Sequence, residues 1–148
     1  MVDVSQLLKL KARDAEDLAV ISALLQDALV PPGDIDYLPG EASLVMAANR
    51  YRWEAVGEDE KGERILSGLA FAHVTGVQRR GMDLAERGAF YNLLSVGEVE
   101  GQARAGDEMM VQLTFSGGAA IRLTLSGLLC TLEDFGEAWP TVWRPHHD

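Results

Sequence analysis

The segment Asn49-Arg50-Tyr51-Arg52-Trp53 is the part of this chain best equipped for chemistry, because it sets two guanidinium groups two residues apart between large aromatic rings. Residues two apart on a β-strand share a face, so Arg50 and Arg52 project from one side and Tyr51 and Trp53 from the other. Guanidinium forks match carboxylates and phosphates, and this spacing therefore suggests capture of a small anionic ligand or of an acidic partner segment. His73, the one interior histidine, could join the two arginines in an assembled site as a proton carrier. Arg79-Arg80 would extend the same patch if the fold brings it near. A plainer role stands beside each of these. The arginines can pair with Glu54, Glu63 or neighbours across a sheet, and a histidine two residues after Phe71 on a strand reads as a hydrogen-bonded, partly buried structural group.

Other chemistry is poorly supplied. A metal site needs convergent ligands, and no C-x-x-C, H-E-x-x-H or EF-hand spacing occurs; no metal and no cofactor are expected. His146-His147 fall in the last three residues, where a base is hard to hold in place. Cys130 stands in the apolar run Leu-Leu-Cys-Thr-Leu, which suits an inert buried thiol better than a nucleophile. Ser22 is mid-helix, and Ser67, Ser95, Ser116 and Ser126 lack the G-x-S-x-G elbow. Gly117-Gly118 leads into a strand rather than a helix, and neither G-x-G-x-x-G nor G-x-x-x-x-G-K-[ST] is present, which excludes the common nucleotide sites. The carboxylates cluster at helix starts and in loops, where solvation explains them. No catalytic residue is assigned, and the reading leans away from an enzyme.

The elements that must position these residues follow from periodicity. Leu7 to Ala12 reads as a first edge strand. Asp14 caps a helix whose first turn carries Glu16 and Asp17. Leu18, Ile21, Leu24, Leu25, Ala28 and Leu29 then form an apolar stripe, which extends the helix to about Val30 before Pro31-Pro32-Gly33 stops it. Short runs at Asp34 to Leu38 and Ser43 to Glu54 read as strands, the second with Val45, Ala47, Tyr51 and Trp53 on its apolar face. Beyond a polar loop at Gly57 to Glu63, Arg64 to Gln78 reads as one long strand with a bulge near Gly76.

Arg80 to Gly88 could hold one helical turn; Tyr91 to Val99 returns to strand, and Gly97 to Asp107 is a polar connection. Val111, Leu113 and Phe115, then Ile121, Leu123 and Leu125, alternate with polar residues on either side of Gly117-Gly118, the pattern of a hairpin with positive φ at its turn. Leu128 to Leu132 continues its second arm, Glu133 to Glu137 reads as a turn, Ala138 to Trp143 as a last extended piece packing Trp139 and Trp143, and 144–148 as a frayed tail.

Composition agrees with a folded domain. The chain has 148 residues, 47% of them hydrophobic, and no linker or repeat divides it, so one domain over 1–148 is expected. Its formal net charge of -10 opposes nucleic acid and anionic lipid surfaces. With one cysteine, no basic-then-apolar leader and no apolar run near 20 residues, a cytoplasmic protein is expected, in contact with neither membrane nor nucleic acid.

The order of an opening LLKLKARDAEDLAVISALLQDA, then NRYRWE, then FSGGAAIRL, then a closing LEDFGEAW resembles a bacterial family, domain of unknown function 2948, found mainly in alphaproteobacteria. The resemblance spans Leu7 to Trp143 and implies no activity, ligand or catalytic residue. The expected fold is α+β: one N-terminal amphipathic helix on a curled antiparallel sheet or small barrel of roughly seven strands, with a pleckstrin-homology-like barrel as one variant. The expected function is a non-catalytic binding or protein-interaction module, with a homodimer compatible; the alternative is a small anionic-ligand-binding protein or enzyme built around Arg50, Arg52 and His73.

Overall fold

The computed structural model describes residues 7–53, 62–82, 90–100 and 108–141, the side chains of 136–141 excepted. Ten strands and one α-helix follow in the order β1 (Lys9–Ala12), α1 (Ala15–Leu24), β2 (Ala28–Val30), β3 (Ile35–Leu38), β4 (Ser43–Tyr51), β5 (Gly62–Phe71), β6 (Val74–Arg80), β7 (Tyr91–Glu98), β8 (Met109–Phe115), β9 (Ala120–Leu125) and β10 (Cys130–Thr141). All belong to one antiparallel sheet ordered β1-β10-β5-β4-β2-β7-β8-β9-β6, with β3 added on β4. The α+β class with one helix stands, but the strands number ten rather than seven. The path also ends at β1 and β6 without closing, so the described residues form an open curled sheet and not a barrel. β1 and β3 lie where strands were expected; the added ones come from β2, three residues expected as helix, from the division of Arg64 to Gln78 into β5 and β6, and from β10, which runs through an expected turn.

The curl comes from a corner. The run expected as one strand, Arg64 to Gln78, is β5 and β6 joined through Ala72 and His73; β9 and β10 are likewise joined through 126–129. The two bends lie side by side. Ala72 N–H donates to Leu129 O and Ser126 N–H to His73 O, both at 2.9 Å, and Val74 N–H donates to Ala42 O at 2.9 Å. A single two-stranded ribbon, β5/β10 continued as β6/β9, is thus folded around the core. The register shift between Val74 and Gly76 is the bulge anticipated near Gly76, and it adds to the turn.

His73 is at φ 59, in the left-handed region that costs an L-residue about 1–2 kcal/mol. His73→Gly is expected to hold or raise stability, whereas His73→Val should lower it by about 1–2 kcal/mol. Urea unfolding checks this, and a neutral valine would remove the corner geometry as the explanation.

The helix starts as expected: Asp14 accepts from Asp17 N–H at 2.8 Å, with Glu16 and Asp17 in the first turn. It ends sooner than expected, at Leu24. Asp27 takes φ 64 and donates its N–H to Leu93 O at 2.8 Å, and Ala28–Val30 becomes β2, wedged between β4 and β7. Ala28 and Leu29 would continue the helical stripe, whereas in β2 it is Ala28 and Val30 that are buried; with Ala28-Leu29-Val30 apolar throughout, the spacing did not reveal the change of state. Leu18 and Ile21 pack α1 into the core, and Ser22 Oγ accepts from Val96 N–H of β7 at 2.9 Å.

The hairpin of β8 and β9 lies where alternation placed it, with Gly117 at φ 74 and Gly118 at φ 80. Val111, Leu113, Phe115, Ile121, Leu123 and Leu125 all face the core. The turn expected at Glu133 to Glu137 is instead interior to β10, whose register shifts between Phe135 and Trp139. Gly136 there marks a bulge, not a chain reversal. The expected helical turn from Arg80 to Gly88 and the polar loops fall mostly outside the described residues, and Trp143 and the tail at 144–148 wholly so.

Candidate functional site

β4 buries the face opposite to the one expected. Leu44, Met46, Ala48 and Arg50 point inward, while Val45 and Ala47 are half-exposed on the outer face. Both sets are apolar, so the alternation is ambiguous in phase; at the end of the strand Tyr51 is buried as well, so both faces are covered there. Arg50 is consequently 0% exposed. It meets Asp134 in a two-pronged ion pair, Nε to Oδ1 at 2.8 Å and Nη2 to Oδ2 at 2.6 Å. Ser67, directly opposite Asp134 in the β5/β10 register, donates its hydroxyl to Oδ1 at 2.5 Å, and Leu8 N–H donates to Oδ2 at 3.1 Å. Burial pushes the Asp134 carboxyl up, but the bonds from Arg50, Ser67 and Leu8 and the charge of Arg50 outweigh it and hold the group below its ordinary value. Arg50 is therefore an internal strut.

Arg52 is also buried, and its Nη1 reaches Glu63 Oε1 at 2.8 Å while its N–H donates to Glu63 O at 2.8 Å. Arg64 lies alongside, giving Nη1 to Asn49 O at 3.0 Å. Burial lowers the Arg64 pKa, with Asp27 and Tyr51 acting against that. Tyr51 stands edge-on to Trp53, ring centroids 4.8 Å apart, and lies over Gly62, where a Cβ would overlap the phenol.

His73 sits at the opposite end of β5. Ten residues of strand span roughly 30 Å at about 3.3 Å each, so the structure brings Arg50 and Arg52 together at one end and leaves His73 exposed at the corner. The three do not form one site. Among the described residues no group of three or more His, Cys, Asp or Glu could hold a metal ion.

Cys130 is 0% exposed, and burial pushes its thiol up to about 12. Thiolate is the reactive form, so iodoacetamide at pH 8 should leave the native protein unmodified while labelling it fully in urea. Mass spectrometry reads the difference, and rapid native labelling would contradict the burial.

The cationic face that is open lies elsewhere. On β6, β9 and β8 the outward residues Gln78, Arg122 and Gln112 stand in one cross-strand row, with Arg80 opposite Ala120 next to it. With Arg79 they line a surface groove of about 550 Å³. Arg122 donates through Nε and Nη2 to Gln112 Oε1, at 3.2 and 2.7 Å, while Gln112 Nε2 donates to Thr114 Oγ1 at 3.1 Å. A neutral amide thus orients the guanidinium without cancelling its charge. Neither of the ion pairs Arg50–Asp134 and Arg52–Glu63 involves Arg79, Arg80 or Arg122.

The alternation around Gly117-Gly118 puts Arg122 among the polar residues of its hairpin, and Arg79-Arg80 would join Arg50 and Arg52 only if the fold brought it near; the fold sets it beside Arg122 instead. The pairing of β6 with β9 links segments about forty residues apart in the chain, and no local pattern carries it. Asp134 did leave a trace: Cys130, Leu132 and Asp134 share one phase of an alternation, so continuing the strand would have put a carboxylate inside, where it requires a cation.

No helix among the described residues is long and apolar enough to cross a membrane. No curated protein and no solved structure matches the chain. The family model described as Protein of unknown function (DUF2948) matches residues 8–147, nearly the whole length, and the chain belongs to that family.

Proposed function

We propose that this chain is a binding module rather than an enzyme, and that the groove of Arg79, Arg80 and Arg122 is where it takes an anionic group. One observation carries the reading: three guanidinium groups line one groove in a protein of net charge -10, with no ion-pair partner among the described residues. Stray surface arginines in so acidic a chain would gain by pairing with its excess carboxylates. Hydrogen bonds to a charged group contribute about 1.5–3 kcal/mol each, and Arg122 is already oriented to make them. The anionic-ligand alternative expected around Arg50 and Arg52 has less support, because both are buried against carboxylates of their own chain.

Titration with sodium phosphate and with citrate, followed by amide chemical shifts, tests this. Shifts are expected on β6, β8 and β9. Arg80→Ala or Arg122→Ala should weaken binding about tenfold, which is about 1.4 kcal/mol. Both are solvent-side changes, so stability should stay within about 0.5 kcal/mol. Equal binding by the double variant would reject the groove as the site.

A further inference from the structure

We propose that the partner at this groove is an acidic polypeptide segment that adds to the free edge of β6 as a further antiparallel strand; this rests on the groove being an anion site. β6 ends the pairing path, bonded to β9 on one side, and no described strand occupies the other. Gln78, Arg79 and Arg80 are exposed along that edge. An edge strand presents unpaired N–H and C=O groups to any segment able to lie beside it.

The arrangement of the arginines favours a strand over a compact anion. Arg80 shares the outer face with Gln78, Ala120 and Arg122, whereas Arg79, opposite Ile121, belongs to the other face of β6 with Val77. Successive residues on a strand point to opposite faces, so positive charge flanks the edge both above and below. Arg79 also lines the groove, but it springs from the other face of the strand, so a compact anion lying on the outer face is held chiefly by Arg80 and Arg122. An added strand meets both faces at once, because its own side chains alternate in step.

The register dictates the sequence such a segment should carry. Acidic residues belong opposite Arg80 and Arg79, a polar residue opposite Gln78 and an apolar one opposite Val77, which is half-buried against the core. Read antiparallel to β6, this is Glu-Glu-Gln-Val. Charged residues on edges ordinarily prevent pairing, and here the same arginines would reject neutral or basic strands while admitting an acidic one. The bulge between Val74 and Gly76 limits the usable edge to Val77 through Arg80.

The test uses a ten-residue fluorescent peptide with Glu-Glu-Gln-Val at its centre, read by anisotropy and by hydrogen exchange of the full chain. Binding is expected, with slowed exchange at the β6 amides not bonded to β9. Arg79→Glu and Arg80→Glu should each weaken it at least tenfold, and a Lys-Lys-Gln-Val peptide should recover binding to the double variant. Methylating alternate backbone nitrogens, with all side chains kept, should abolish binding.

If the methylated peptide binds equally, or β6 exchange is unchanged, strand addition is wrong. If the peptide fails while phosphate still shifts β8 and β9, the groove takes compact anions and only this inference falls. If neither binds, both readings fall.

Discussion

Asp134→Ala should destabilise the protein by about 3–5 kcal/mol, the range for removing one partner of a buried ion pair. The loss exceeds that of one contact because Arg50 stays charged and fully buried, while the Ser67 hydroxyl and the Leu8 N–H lose their acceptor together. Replacing both partners with apolar residues, Arg50→Met with Asp134→Leu, should recover much of the loss, since a buried pair can often be exchanged for packing without net cost. Urea unfolding of the two single variants and the double completes the cycle, and a single-variant loss under about 1 kcal/mol would mean that water reaches Arg50.

The same pair sets an acid limit. Asp134 titrates near 3.8 when unfolded and lower when folded, so its contribution is whole above that ordinary value and drains as pH falls through the folded one. The double variant should show a correspondingly flatter acid limb.

Phe115→Ala should cost about 3–5 kcal/mol, by lost transfer energy and by the cavity left behind. The ring is 1% exposed, sits edge-on to Tyr91 with centroids 6.2 Å apart, and lies opposite Leu93 in the β7/β8 register. Neighbours on three strands cannot collapse into that space without breaking ladders. Gln112 and Thr114 occupy the other face of the same strand, so phosphate affinity of the folded fraction should change by less than about twofold even as the unfolding midpoint drops. A large affinity loss would show that the groove depends on the packing beneath it. Denaturation in the presence and absence of phosphate separates the two effects.

Where the sequence was informative, local pattern and tertiary need agreed. The β8–β9 hairpin, the Asp14 cap and the inert Cys130 each follow from residues within a few positions of one another. The helix end was misread because the apolar run Ala28-Leu29-Val30 suits a helix stripe and a buried strand alike, and the contacts that make it a strand, the bond from Asp27 to Leu93 and the pairing with β4 and β7, are distant in sequence. The phase of β4 was misread for a related reason: both of its faces are apolar, and the carboxylate that Arg50 meets lies eighty-four residues away. The groove depended on strand order, which periodicity leaves open. A basic pair and a hairpin arginine were each visible, but their meeting across β6 and β9 was not.

The position of β10 has a consequence for how the chain must be made. It lies between β1 and β5, so two strands made earlier wait for one made later. At about 5–20 residues per second, the interval between completing β5 and completing β10 is on the order of 3–14 s. Throughout that time β5 lacks one neighbour, β1 lacks the strand it pairs with, and Arg50 lacks Asp134. The nascent chain therefore emerges with two unfilled strand edges and with Arg50 not yet joined to Asp134. Completion is nearly simultaneous for all three, because each waits for the same strand, and the chain that has not yet made β10 is the species most in need of protection.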